Sequence, residues 1–113
     1  MELCRIILVD DHSLFRSGMR GLLDRYDGIR VVGEASTGEE FLAMLPATEA
    51  DVVFMDPPRS GSTEAFLDAV ARLAPKTVVY ISCGPETQAR DVKYLLKKGY
   101  RAEGAWPVDL SLI

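Results

Sequence analysis

Asp51-Val52-Val53-Phe54-Met55-Asp56-Pro57-Pro58-Arg59-Ser60-Gly61 is the stretch that decides the fold. Val52 to Met55 form a short continuous apolar run, the pattern of a strand buried on both faces. Asp56 ends the run. Pro57 and Pro58 then fix φ and remove two N–H donors, so the strand cannot continue and the chain must turn. Open α/β sheets put their chemistry at the C-terminal ends of central parallel strands, which is where Asp56 falls.

Towards the N-terminus, Leu3 to Val9 is a second buried-strand pattern, ending in Asp10 and Asp11. Ser13 fits an N-cap, and Leu14, Phe15, Met19, Leu22 and Leu23 recur at helical spacing through Tyr26, with Gly28 suited to the C′ position. Ile29 to Gly33 reads as a short strand. Ser36-Thr37-Gly38-Glu39 has capping-box spacing, and Phe41, Leu42 and Leu45 give the next helix an inner face before Pro46.

Towards the C-terminus, Ser62 or Thr63 starts a helix that carries Phe66, Ala69, Val70 and Leu73 inward, and Pro75 closes it. Thr77 to Ile81 is a β-branched run and hence a fourth strand. Glu86 to Lys98 is predicted helical, with Ala89, Val92, Leu95 and Leu96 on one side and Gly99 as its stop. Ala102 to Trp106 is a weaker fifth strand, broken by Pro107. The alternation predicts a three-layer α/β sandwich with a parallel sheet and right-handed crossovers.

A chain of 113 residues is read as one domain, long enough to bury roughly 65% of its unfolded surface. Net charge −4 argues against a nucleic-acid surface, and Arg72, Lys76, Arg90, Lys93, Lys97, Lys98 and Arg101 read as solvated helix faces. Cys4 and Cys83 make no disulfide framework, and one histidine does not supply a Cys/His zinc site. No apolar run approaches a membrane span and no signal peptide precedes the first strand, so the expected location is cytoplasmic.

Residues 4–56 resemble the first half of a response-regulator receiver domain, in the subgroup with a helix-turn-helix output domain. The resemblance rests on Ile7-Leu8-Val9-Asp10-Asp11-His12, Arg16-Ser17-Gly18, the run from Val31 to Glu39, and Asp51 to Asp56. It implies a flavodoxin-like fold, Mg²⁺ held by Asp10 and Asp11, and Asp56 as phosphoacceptor. It also implies a backbone oxygen ligand two residues after Asp56, at Pro58. In a 2-1-3 strand order the ends of strands one and three are neighbours, so Asp10, Asp11 and Asp56 are expected to converge on a hard-oxygen site suited to Mg²⁺.

Residues 56–110 resemble the C-terminal part of the S-adenosylmethionine-dependent RNA 5-methyluridine methyltransferases. Here the motifs are Asp56-Pro57-Pro58-Arg59-Ser60-Gly61, Val79 to Thr87, Ala89-Arg90-Asp91, Gly99-Tyr100 and Val108-Asp109-Leu110. The resemblance implies Cys83 as the nucleophile towards the pyrimidine ring, at a helix N-terminus that would lower its thiol pKa.

Neither pattern is complete. The receiver lysine at the end of strand five is replaced by Pro107 and Val108, although Ser82 can stand for the hydroxyl on strand four. The last receiver helix is missing. The Gly-rich cofactor turn of the methyltransferases is replaced by Asp10-Asp11-His12. The expectation is a single flavodoxin-like domain, a parallel five-stranded sheet of order 2-1-3-4-5, built as a chimera of residues 1–56 and 57–113. It is expected not to be an enzyme, with Cys83 and Asp56 vestigial. The expected ligand set is Mg²⁺ on Asp10, Asp11, Asp56 and the Pro58 carbonyl, without S-adenosylmethionine. A phosphoacceptor module and a non-catalytic methyltransferase fragment are the alternatives. No physiological partner, nucleic acid or membrane is expected. An apolar patch at Val79, Ile81 and Trp106, left by the missing helix, suggests a homodimer.

Overall fold

The computed structural model describes residues 3–45, 48–56, 62–81 and 85–101. The elements alternate: β1 (Cys4–Asp10), α1 (Ser13–Leu23), β2 (Ile29–Ala35), α2 (Gly38–Met44), β3 (Val52–Asp56), α3 (Glu64–Leu73), β4 (Thr77–Tyr80) and α4 (Pro85–Lys97). The strands pair in the order β2-β1-β3-β4, all parallel. The predicted parallel three-layer α/β architecture is therefore observed, with four strands among the described residues. The predicted fifth strand, at 102–106, lies outside them.

Side-chain alternation along the central strands feeds two cores. Ile7, Val53 and Met55 pack with Phe41 of α2, with Phe66, Leu67 and Val70 of α3, and with Leu95 of α4. Phe41 and Phe66 meet as tilted rings 5.0 Å apart, a favoured aromatic geometry. On the other face Ile6, Leu8 and Val31 pack with Val52, Phe54, and Met19 and Leu23 of α1. Full burial of each such side chain contributes about 1.5–3 kcal/mol. At the opposite edge from the strand C-termini, Asp51 ties three strands together. Its carboxylate accepts the Arg5 N–H at 2.9 Å, its N–H donates to the Arg5 carbonyl, and its own carbonyl accepts from Thr77.

Several local expectations shift. The N-cap of α1 is His12, without a side-chain cap bond, and Ser13 is the first helical residue. The Asp10 carboxylate takes the His12 N–H instead, which turns the chain straight into the helix. α1 ends at Leu23 with Asp24 as its cap, so Gly28 is no C′ residue; its carbonyl accepts from Cys4 at the start of β1. The capping box of α2 sits one residue later than predicted. Thr37 Oγ1 accepts the Glu40 N–H, and the Glu40 carboxylate accepts from the Ser36 N–H and hydroxyl, which holds its pKa below the usual value. Thr-x-x-Glu fits the motif as well as Ser-x-x-Glu, and the backbone chose the former.

Helix faces also differ from the periodicity. α1 turns Arg16, Met19 and Leu23 to the sheet and leaves Leu14, Phe15 and Leu22 exposed, because it covers its face alone among the described residues. Leu42 and Leu96 are exposed, and so is Ala89. In α4 the buried pair is Asp91 and Leu95, since Asp91 reaches the Tyr80 hydroxyl at 2.6 Å and the Ser62 N–H at 2.8 Å. Thr63, the second of the two predicted caps, accepts the Phe66 N–H and starts α3.

Gly99 stops α4 as predicted. Its φ is 105°, and Tyr100 N–H returns to the Leu95 carbonyl while Gly99 N–H returns to Leu96, a Schellman closure. A Cβ on Gly99 would meet open space, so only backbone strain opposes one. Gly99→Ala is expected to cost about 1 kcal/mol, whereas Gly18→Ala, in the open face of α1, should gain about 0.5–1 kcal/mol. Urea denaturation checks both, and equal signs for the two variants would contradict the assignment of Gly99 as a left-handed stop.

Candidate metal centre

The register of β1 on β3 sets Asp10 directly beside Asp56. Both follow the alternation of Ile6 and Leu8, or Val52 and Phe54, on the α1 side of the sheet. Asp10 is only 4% exposed. Its Oδ1 accepts the His12 N–H at 2.8 Å, while its buried Oδ2 has no hydrogen-bond partner. A buried carboxylate oxygen without a partner carries a desolvation cost that a bound cation would offset.

One ligand atom each from Asp10, His12 and Asp56 lies within 4.8 Å of the others. Burial, then the Asp10 charge and a hydrogen bond shared with Asp10, push the Asp56 carboxyl up to about 6, with the His12 side chain opposing the shift. Arg16 lies behind the pocket. Its guanidinium donates to the Asp10 carbonyl and to Glu34 (Nε to Oε1, 3.1 Å), and Arg20 also binds Glu34.

The structure therefore brings together Asp10 and Asp56 of the predicted trio, while Asp11 stands at the rim. The Asp11 side chain is 54% exposed and its Oδ1 lies 3.0 Å from His12 Nδ1. His12, although its side chain is 75% exposed, is the residue whose ligand atom joins those of Asp10 and Asp56, and its Nδ1 lies between the Asp10 and Asp11 carboxylates. The Pro58 carbonyl, Ser82 and Cys83 lie outside the described residues.

A second cleft, of about 400 Å³, lies between α3 and α4 and is lined by Ser62, Thr63, Glu64, Leu67, Arg90, Asp91 and Tyr94. Its buried carboxylate, Asp91, is engaged by Ser62, Tyr80 and Arg90. These bonds hold α4 against β4 and α3. Among the described residues no helix is long and apolar enough to cross a membrane.

A parallel α/β sheet with two aspartates abutting at the ends of its central strands defines the class, and comparison with known proteins agrees. The chain belongs to the response regulator receiver domain family, which matches residues 6–100. The signal receiver domain of the response regulator NarL from Mycobacterium tuberculosis superposes with a TM-score of 0.66 at 31% identity, covering 88% of this chain and 80% of that one. The response regulator domain of Thermotoga maritima CheB gives 0.67 at 25% identity, covering 87% and 74%.

The chain is also similar to proteins named as RNA methyltransferases. One from Gloeobacter violaceus is 48% identical over 68 residues, 60% of this chain and 15% of that protein. Another, from Clostridium tetani, is 47% identical over 82 residues, 71% of this chain and 17% of its own. The chain thus spans under a fifth of the length of these relatives. A match over 60% of the chain is longer than the part that follows Asp56, so the methyltransferase likeness reaches across Asp56 to its N-terminal side. The receiver likeness crosses it in the other direction.

The raised pKa of Asp56 fixes the sign of a pH effect. Between the ordinary value of 3.8 and about 6 the folded chain retains a proton that the unfolded chain has lost. The stability gained from that proton is fully present below pH 3.8 and is lost as pH rises through about 6. In chelator-treated protein Asp56→Asn should therefore stabilise at pH 7.5 and have little effect near pH 4. Urea denaturation at the two pH values tests this, and a destabilised variant at pH 7.5 would contradict a strained carboxylate pair.

Proposed function

We propose that the chain is a built chimera of a receiver half and a methyltransferase half, folded as one flavodoxin-like domain without catalytic activity of its own. Its surviving working site is a divalent-cation pocket. The observation that carries this reading is the buried Asp10 carboxylate set beside Asp56, with one oxygen unpartnered. The double likeness across Asp56 supports the chimera. In this reading residues 102–106 complete a sheet of order 2-1-3-4-5.

The residues fit Mg²⁺, a hard cation that takes oxygen ligands. Asp10 and Asp56 would hold it, with Asp11 at the rim and the Pro58 carbonyl as a further oxygen. When bound, the ion would neutralise the two carboxylates and offer positive charge to an incoming anion. Arg16 holds the end of β1 in place through the Asp10 carbonyl. Family membership favours a second reading, in which the Asp56 carboxylate accepts a phosphoryl group from a small acyl phosphate and the acid is released. A lysine at the end of strand five would normally couple that event to a conformational switch, and Pro107 and Val108 stand there instead. S-adenosylmethionine is expected not to bind, because Asp10 and Asp11 replace the glycines that let a backbone approach the cofactor.

Mg²⁺ at ten times its Kd should stabilise the fold by ~1.4 kcal/mol, read as a rise in Tm, and Asp56→Asn should abolish most of the rise. Calorimetry with S-adenosylmethionine should show no saturable heat. Unchanged Tm at 10 mM Mg²⁺ would sink the pocket, and saturable cofactor binding would favour a methyltransferase fragment.

Self-association is proposed as well. Leu14, Phe15 and Leu22 on α1 and Val79 on β4 are exposed, and Ile81, two residues after Val79, is half-buried. Trp106, the remaining member of the predicted patch, lies outside the described residues. Sedimentation velocity should show dimer growing with concentration, and Leu22→Glu should shift it to monomer. Monomer throughout, up to millimolar protein, would count against pairing.

A further inference from the structure

We propose that residues 108–113, Val-Asp-Leu-Ser-Leu-Ile, lie along an open apolar trough on the α1 side of the sheet, over β3 and β4. This rests on the reading of residues 102–106 as a fifth strand beside β4, and it names what covers the face that this strand adjoins.

The trough is built from described residues. α1 packs against β1 and β2. Arg16 and Arg20 both reach Glu34 on β2, so one flank of the helix is turned to β2. Successive helical residues are about 100° apart. Phe15 and Leu22, each one place before a sheet-facing residue, therefore fall on the opposite flank, towards β3, and both are exposed. Val52 and Phe54 of β3 share this side of the sheet and are only half-buried. On β4, Val78 and Tyr80 pack into the other core, so alternation turns Val79 and Ile81 to the trough. The Ile81 N–H donates to the Met55 carbonyl, which carries the ladder past Tyr80. Among the described residues an apolar floor with an apolar wall is thus left open.

Position, length and pattern choose the occupant. The Tyr100 hydroxyl donates to the Pro75 carbonyl at 2.9 Å, which fixes the chain beyond α4 at the start of β4. α3 and α4 already close the opposite face. A strand at 102–106 parallel to β4 brings Pro107, a strand breaker, to the same end of the sheet as Ile81. Six extended residues span ~20 Å, enough to run back along β3 and β4, and the trough lies within two strand spacings, ~10 Å. Trp106, Val108, Leu110 and Leu112 alternate with Pro107, Asp109 and Ser111. An extended segment of this pattern has one apolar side for the floor and one polar side for solvent. Because it is attached, it meets the trough at an effective concentration in the millimolar range, above that of a second copy in dilute solution. Self-association through this face then competes with the segment and sets in as the segment is displaced.

The test uses the full chain. In dilute isotope-labelled protein the Leu110 and Leu112 methyls should give NOEs to the Phe15 and Phe54 rings, and these should vanish from isotope-filtered spectra of mixed labelled and unlabelled chains. Leu110→Asp should lose the NOEs, lower the urea midpoint and move dimer formation to lower protein concentration, whereas Ser111→Asp should leave all three readings unchanged. NOEs that persist in the filtered spectra put a second copy in the trough and overturn the proposal. So does the absence of NOEs from Leu110 and Leu112 in the wild-type chain, or an equal fall in urea midpoint for Leu110→Asp and Ser111→Asp. NOEs between residues 102–106 and β4 test the fifth strand separately; their absence alongside the trough NOEs rejects that strand and upholds the segment.

Discussion

Parallel pairing of β1 with β3 in the register that sets Asp10 against Asp56 is the constraint on which the rest of the structure depends. The same register places Ile7 beside Val53, both fully buried, so the apolar core and the acidic pocket are two ends of one ladder. Burial of the apolar residues holds the strands together at a cost at their C-terminal ends, where two carboxylates are forced close in a half-buried setting. Burial first, and then the neighbouring Asp10 charge, raise the Asp56 pKa, while Asp10 Oδ2 is buried without a partner. A binding site destabilises its own empty form in this way, and the stabilisation a ligand provides follows from the same geometry.

Among the described residues the two faces of the sheet are covered unequally. Three helices cover one face, and their packing is reinforced by polar ties: Asp91 to Tyr80 and Ser62, and Tyr94 to Asp68 at 2.7 Å. On the other face α1 contributes Met19 and Leu23 and no fully buried residue. The pocket opens on this lightly covered side. The Arg16–Glu34–Arg20 cluster links α1 to β2 beside the end of β1. Charge and helix anchoring are thus coupled: the group that fastens α1 also holds the backbone of Asp10.

Two families are legible in one chain because they solve the same packing problem. In the proposed chimera each half would supply parallel strands with right-handed helical crossovers, and each would end the strand next to β1 in an acidic residue. A βαβ unit from one can then meet the sheet of the other without changing strand spacing or twist. The likenesses overlap across Asp56, as expected where β3 belongs to both patterns. Chemistry is less transferable than architecture. A nucleophile, a metal pocket or a cofactor turn needs its supporting residues as well as its strand.

The sequence by itself determined the order of the described elements, the parallel α/β architecture, the helix stop at Gly99, a cap at Ser62 or Thr63 and the place of Asp56 at a strand end. These are local matters of periodicity, turn chemistry and helix stops, and the residues that govern them are neighbours in the chain. It also brought Asp10 and Asp56 together, through the 2-1-3 strand order that the resemblance to a receiver domain implies. Only the tertiary structure decided which polar side chains face inward. Asp91 stands in the sequence only within the Ala89-Arg90-Asp91 motif, and its inward role is visible once Tyr80 and the Ser62 N–H are placed around it. His12 stands in the sequence only as the residue after Asp10 and Asp11, and the fold is what sets its ring between their carboxylates and near Asp56. Leu14, Leu22 and Leu96 read as core until the packing partners of each helix are known. A carboxylate, an imidazole and a leucine take their roles from desolvation and from neighbours distant in the chain, and those neighbours exist only once the sheet has formed.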